Sequence, residues 1–254
     1  MGKMGGSRHM KREVAPKFWP IWRKKFNWTI KPDSGPHPID RCLPLGLVVR
    51  DVLGKGKTRR EAKKVISKGT IAVDAKIRTD DLFPIGLMDV VSIPEIKKDY
   101  RVLPSEKGLI LHPIDGDETQ FKLVRIENKH TLKDGHVQLG LHDGRSLLIR
   151  VNDPQKPEED IYQIFDTLKI SLSDSEILER IGLAKGMIAI LTGGKNAGKY
   201  GVITSITDQQ GQKRKDTLVT IKGERDELYQ TRINYVFVIG DEKPRISLPP
   251  MEAR

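Results

Sequence analysis

Cysteine is nearly missing: Cys42 is the single thiol in 254 residues. With no second cysteine there is no intrachain disulfide and no cysteine-based zinc ribbon, and the usage fits a reducing compartment. Long apolar runs are missing too, none approaching the ~20 residues that span a bilayer. The N-terminus lacks the apolar core of a signal peptide. Met1-Gly2 starts like a myristoylation site, but Gly6 stands where Ser or Thr is required. Aromatics make up only 6% of the chain, and hydrophobic residues 37% against 31% charged, a balance too polar for one large core. Several small modules steadied by a partner are expected, in a soluble, cytoplasmic chain with no membrane contact. Acids are outnumbered by Lys and Arg, 34 to 45, for a net charge of +11. That excess favours a polyanion over an acidic small substrate.

The charge is uneven. Residues 1–31 carry Lys3, Arg8, Lys11, Arg12, Lys17, Arg23, Lys24, Lys25 and Lys31 against the lone acid Glu13, the make-up of a basic nucleic-acid arm. Met1 to Arg12 is Gly-rich and is expected to be a disordered tail that orders on binding. Ala15 to Trp28 interleaves prolines, cations and aromatics, with all three tryptophans, Trp19, Trp22 and Trp28. That much aromatic area must pack on something. The arm is either a strap over the next domain or, in addition, a stacker of Trp or Phe on bases with its cations on phosphates. Ser34-Gly35-Pro36-His37-Pro38 ends it.

The stretch Thr58 to Ile77 organises the rest. Thr58 and Glu61 form a capping box, so a helix starts there. Ala62, Val65 and Ile66 share its apolar face, while Arg59, Arg60, Lys63, Lys64 and Lys68 cover the remainder. Gly69 ends the helix, Thr70–Val73 alternates like a strand, and Asp74-Ala75 is a tight-turn candidate before Lys76–Arg78. Upstream, Pro44 opens a helix with the stripe Leu45, Val48, Val49 and Val52. Downstream, Val90–Ile93 is a further strand. The helix–helix–hairpin–strand order resembles the S-four RNA-binding domain over residues 41–95. Its usual Gly-Asp before the last strand is here Met88-Asp89.

Residues 96–180 hold no enzyme motif. Tyr100–Leu103, Leu109–His112, Phe121–Ile126, His136–Leu141, Leu147–Val151 and Thr167–Leu172 read as short strands, and Asp174 to Gly182 as a short helix. His112, His130, His136 and His142 lack ligand spacing and a supporting cysteine, so no metal and no catalytic group is expected. Asp153 to Asp160 reads as a solvated loop.

Gly193 through Lys199 matches most of a phosphate-loop pattern. Tyr200 replaces the hydroxyl that holds magnesium, and Gly201 to Ile206 reads as strand where a phosphate loop needs a helix. Gly186 to Ile206 resembles instead the KOW motif, a strand–loop–strand of small β-barrels. Lys195, Lys199 and Tyr200 then stand where the loop meets a backbone or base. Thr217–Ile221 and Leu228–Ile233 complete the barrel, Lys213-Arg214-Lys215 caps a polar loop, and Tyr235 to Gly240 is an apolar strand.

The strings HMKREVAPKFWPI, SGPHPI, RCLPL, GLMDVVSI, YQIFDTLKISL, LTGGKNAGKYGVIT and FVIG…KPRISLP resemble, nearly end to end, the archaeal and eukaryotic small-subunit ribosomal protein S-four-e family. Trp19-Pro20-Ile21 and His142-Asp143-Gly144-Arg145 look more archaeal; Arg245 replaces a frequent aromatic. The resemblance implies a structural, non-catalytic constituent that binds small-subunit ribosomal RNA beside neighbouring ribosomal proteins. It implies no cofactor, no small-molecule substrate and no homo-oligomer.

The expected fold is α+β and multi-domain: an extended basic arm (1–40), a small α/β S-four-type RNA-binding domain (41–95) and a central small β domain (96–175). A C-terminal SH3-like KOW β-barrel (176–240) and an extended tail (241–254) complete it. The expected RNA-binding residues are Arg8, Lys11, Arg12, Lys17, Trp19, Arg23, Lys24, Lys25, Arg59, Arg60, Lys63, Lys64, Lys68, Lys76, Arg78, Lys195, Lys199 and Tyr200. Two other classes remain open: a KOW-type transcription or translation factor, and an RNA-modifying enzyme with an accessory S-four domain. The enzyme would need an acid, base or nucleophile constellation in residues 96–180.

Overall fold

The computed structural model describes residues 7–153, 158–207, 217–223 and 226–249. Residues 1–6 of the expected tail, 154–157 of the solvated loop, Lys213-Arg214-Lys215 and residues 250–254 lie outside the described residues. Within the segment expected to be a disordered tail, Met10 and Lys11 instead form a strand: β1 (Met10–Lys11) pairs antiparallel with β2 (Trp28–Thr29). Met10, Ala15 and Trp19 are buried in the same core as the helices that follow, so the arm is a strap.

After β3 (Cys42–Pro44), the helix at Pro44 forms in two pieces, α1 (Leu45–Leu47) and a π turn Val48–Val52. α2 (Arg59–Ser67) starts where the capping box places it: the Thr58 hydroxyl accepts from the Glu61 amide at 3.3 Å, and the Glu61 carboxylate accepts from the Lys57 amide at 2.8 Å. Ala62 and Ile66 are fully buried against α1 and the arm. Burying Ile66 alone contributes about 1.5–3 kcal/mol.

The hairpin of β4 (Ala72–Val73) and β5 (Lys76–Ile77) turns on Asp74 and Ala75, both at positive φ, 51° and 60°. This is the geometry that two-residue hairpin turns prefer. Ala75 adopts it despite its Cβ because the flanking pairs fix the register. β6 (Pro84–Gly86) pairs with β3, and Met88 supplies the positive φ, 66°, before β7 (Val90–Ile93).

The first sheet runs past the expected boundary at residue 95. Lys97, at φ 49°, turns the chain into β8 (Lys98–Ser105), which pairs with β7 and with β9 (Gly108–Ile114). Its order is β5-β4-β7-β8-β9.

The central sheet comprises β10 (Phe121–Thr131), β11 (Val137–Leu141), β12 (Ser146–Ile149), β13 (Thr167–Ser171) and β14 (Ile177–Ile181), in the order β12-β11-β10-β13-β14. β14 corrects the helix expected at Asp174–Gly182. Ile177 and Ile181 are four apart, a spacing that fits one face of a helix or of a strand. A turn with Ser175 at φ 60° folds the segment back onto β13 and decides for the strand.

The C-terminal sheet contains β15 (Ile188–Leu191), β16 (Tyr200–Thr207), β17 (Leu218–Lys222), β18 (Leu228–Arg232) and β19 (Val236–Gly240). All its pairings are antiparallel, in the order β18-β17-β16-β15-β19. Ile181 of β14 enters its core. Past β19 the tail docks: Ile246 is buried, Arg245 pairs with Glu179 at 2.7 Å, and the Ser247 amide donates to Glu118 at 2.9 Å. The fold is thus mostly β with few helices.

Candidate nucleic-acid interface

α2 presents its cations unequally. Buried Asp81 accepts from Arg59 Nε at 2.9 Å and lies 3.9 Å from Lys63 Nζ, which relieves the like-charge spacing on the helix. Arg60, Lys64 and Lys68 are exposed and meet no carboxylate among the described residues. Lys76 is exposed on the hairpin, whereas Arg78 is half-buried with its guanidinium 4.2 Å from the Phe83 ring centroid.

On the arm, Arg8, Lys11, Lys17, Lys24 and Lys25 are exposed. Three arm residues expected at RNA face inward. Trp19 is 3% exposed and donates its indole N–H to the Cys42 carbonyl at 2.9 Å, so it cannot stack on a base. Arg12 is buried and donates to the carbonyls of Trp28 and Trp22 at 3.0 and 2.8 Å. Arg23 donates to the carbonyls of Arg12, Glu13, Ala15 and Pro16 at 2.9–3.1 Å. A guanidinium carries five donors in a fixed fork, and here both forks hold backbone rather than phosphate.

The Gly-rich loop after β15 leads into β16, so no helix N-terminus follows Lys199 and the amides a phosphate loop requires are missing there. Gly198 lies at φ 82°, and a Cβ there would sit 2.6 Å from Ser105 Cα, so the loop is pressed onto the β8–β9 turn. Lys195 is exposed. Lys199 is held inward, its ammonium 4.4 Å from the Tyr229 ring centroid and 3.3 Å from the hydroxyl. Tyr200 is half-buried against the core that contains Met88, Leu103 and Phe237, which corrects its expected place at the loop tip. A cleft of about 940 Å³ lies between the arm (Lys17, Phe18), the β8–β9 turn (Glu106, Lys107) and this loop (Gly193, Gly194).

Sequence reasoning missed the ionic cluster at the centre of these units. Lys122 of β10 is 1% exposed and donates to Asp89 at 2.5 Å and Asp74 at 2.8 Å, with Asp143 at 3.2 Å. Arg145 reaches Asp74 at 2.8 Å and Asp143 at 3.2 Å, and His37 of the arm donates to Asp89 at 3.0 Å. Burial alone would lower the Lys122 pKa, but the three carboxylates outweigh it and raise it. Burial would likewise raise Asp89, yet Lys122 and His37 hold it well below the usual carboxylate range. Asp74 goes the other way, raised by burial and by the facing Asp89. The only signal in the sequence was that SGPHPI carries His37, GLMDVVSI carries Asp89, and His142-Asp143-Gly144-Arg145 carries both Asp143 and Arg145.

His142 packs beside this cluster as a neutral base. Its Nδ1 accepts from the Arg125 amide at 3.1 Å, and its Nε2–H donates to the Leu87 carbonyl at 3.1 Å. Burial, with the Lys122 charge, lowers its pKa from 6.5 to about 3; Asp143 opposes the shift and His37 adds to it. A base whose folded pKa is depressed leaves the unfolded chain binding the extra proton between those two values, so stability falls as pH drops through that window. Urea unfolding from pH 7 to pH 4 should show that decline, and His142→Gln, neutral throughout, should flatten it. Equal slopes for parent and variant would refute the neutral-imidazole assignment.

Comparison with known proteins gives two family models and many relatives. Residues 96–177 match the model described as ribosomal family S4e, and residues 4–40 match the RS4NT domain. The chain is 50% identical over 250 residues to the small ribosomal subunit protein eS4 of Staphylothermus marinus and to that of Aeropyrum pernix, covering 98% of either chain in both cases. It is 44% identical over 249 residues to the eS4 protein of Methanocaldococcus jannaschii, covering 98% of this chain and 100% of the relative. Among solved structures, the 30S ribosomal protein S4e of Thermoplasma acidophilum superposes with a TM-score of 0.66 at 27% identity. That match covers 80% of this chain and 96% of the other.

Proposed function

Because the chain belongs to the ribosomal S4e family, we propose which of its surfaces hold ribosomal RNA. The protein is a structural constituent of the small ribosomal subunit in the cytoplasm, binding ribosomal RNA in support of translation. In our reading the phosphate-binding side chains are Arg8, Lys11, Lys17, Lys24 and Lys25 of the arm, Arg60, Lys64 and Lys68 of α2, Lys76 of the hairpin, and Lys195 of the loop after β15. The S-four-type unit begins at residue 41, with its sheet lengthened by β8 and β9. The C-terminal sheet is an SH3-like KOW module. Both present shape to folded RNA, which is recognised largely by backbone and form. Neighbouring ribosomal proteins cover other faces, and one copy enters each subunit.

The observation that carries this reading is α2: a capped helix fixed through Ala62 and Ile66, whose exposed Arg60, Lys64 and Lys68 meet no carboxylate among the described residues. Phosphate contacts position a protein without reading bases. Arg60→Ala with Lys64→Ala should therefore weaken binding to every ribosomal RNA fragment alike and flatten the salt dependence by about 2 in log–log slope, about 1 for each cation. A double variant that binds as the parent does would remove α2 from the interface.

A further inference from the structure

The arm exposes three aromatic side chains: Trp22 at 80%, Phe26 at 59% and Trp28 at 56%. Each ring is a large apolar body left in water. The segment that carries them is nonetheless tightly fixed. Arg12 binds the carbonyls of Trp22 and Trp28 at 2.8 and 3.0 Å and lies 5.0 Å from the Phe26 ring centroid. Its amide donates to the Asn27 carbonyl at 2.9 Å, and the β1–β2 ladder pairs Lys11 with Trp28. Arg23 gathers four carbonyls of residues 12–16, and Trp19 plugs the segment into the core. One tryptophan is the anchor; the other two and Phe26 are held out by a rigid base.

The charges around them select the occupant. Exposed Arg8, Lys11, Lys24 and Lys25 lie on this segment, and Glu13 is its lone acid between residues 7 and 31. A protein interface would have to bury or flank those rings among lysines, which protein interfaces deplete. Unpaired nucleotides fit both features at once, with π faces for the rings and phosphates for the cations. A continuous duplex keeps its base faces stacked and offers none. We propose that the Trp22–Phe26–Trp28 segment is a stacking site for unpaired RNA bases, with Lys11, Lys24 and Lys25 on the flanking phosphates. This rests on the RNA-binding reading above and adds the part of the RNA that the arm takes.

The test uses the full chain, a single-stranded 12-nucleotide oligoadenylate and a blunt RNA duplex of equal length, read by fluorescence anisotropy. Trp22→Ala with Trp28→Ala should weaken oligoadenylate binding by about 30-fold or more, the low end for losing two stacked bases. Duplex binding should stay within about 2-fold, and Trp22→Phe with Trp28→Phe should restore most of the loss. Both side chains are exposed, and urea unfolding verifies that the alanine variant folds. Unchanged oligoadenylate binding overturns the stacking site while leaving the phosphate surfaces standing. Equal losses on both RNAs overturn it as well, because the rings would then only support the arm. A parent that binds neither RNA defeats both readings. Photo-crosslinks from position 22 in assembled particles that reach a polypeptide and no RNA would assign the segment to a protein partner.

Discussion

Replacing Lys122 by methionine should destabilise the isolated chain by about 3–5 kcal/mol, the cost of breaking a buried ionic group from one side. Methionine fills most of the lysine's volume, so the loss isolates charge from packing. Without the ammonium, Asp74, Asp89 and Asp143 face each other with Arg145, His37 and the amides of Val90, Gly86 and Arg145 as their remaining partners among the described residues, and Asp89 and Asp143 are nearly inaccessible to water. Asp74, already raised, should take up a proton first. Equilibrium unfolding in urea at pH 7 measures the change. The parent and variant should converge as pH falls and the freed carboxylates protonate. Adding Asp89→Asn to Lys122→Met should recover part of the loss, because the two substitutions share one interaction and cannot add. A loss below about 1 kcal/mol would mean that water enters the cluster and solvates what the lysine held.

The same cluster explains what joins the units. Asp74 sits in the β4–β5 turn, Asp89 before β7, Lys122 on β10, Asp143 and Arg145 in the β11–β12 turn, and His37 on the strap. Lys122 thus ties the first sheet to the central one, and His37 ties the arm to both. Such a cluster contributes less through net stability than by fixing how the sheets meet: any other docking would leave one of these charges buried and unpaired. Arg125 acts in parallel, donating to the carbonyls of Asn234 and Val236 at 2.9 and 2.8 Å and so linking the central sheet to β19.

Local signals were legible and long-range ones were not. The Thr58 cap, the buried face of α2, the Asp74-Ala75 turn and most strands follow from spacing within about ten residues, and each appears where that spacing places it. β14 was misread because Ile177 and Ile181 satisfy both periods, and only its partner β13 breaks the tie. The pairing of β8 with β7 was not legible either, because it depends on Lys97 at φ 49° turning the chain back after Pro94–Ile96. Within the site, sequence cannot say which way a cation points. Arg12 and Lys24 are alike as positive charges on an aromatic arm, yet one holds backbone and the other faces water. Lys122 stands 48, 33 and 21 residues from Asp74, Asp89 and Asp143, the acids it pairs with, beyond any local pattern.

That inward and outward division sets the salt dependence of RNA binding. The exposed cations proposed for phosphates are Arg8, Lys11, Lys17, Lys24, Lys25, Arg60, Lys64, Lys68, Lys76 and Lys195. If six to ten of them displace counterions, affinity for a ribosomal RNA fragment should fall about 10³- to 10⁵-fold between 50 and 200 mM salt. Single variants then separate the two kinds of cation. Lys24→Ala should lower the log–log slope by about 1. Arg12→Gln should leave the slope unchanged, because Arg12 neutralises no phosphate, while lowering affinity by a constant factor at every salt concentration as the Trp22–Trp28 segment loosens. A flat titration of the parent would deny the electrostatic basis of binding altogether. Equal slope changes for Lys24→Ala and Arg12→Gln would place the Arg12 guanidinium on RNA, against the two carbonyls it holds here.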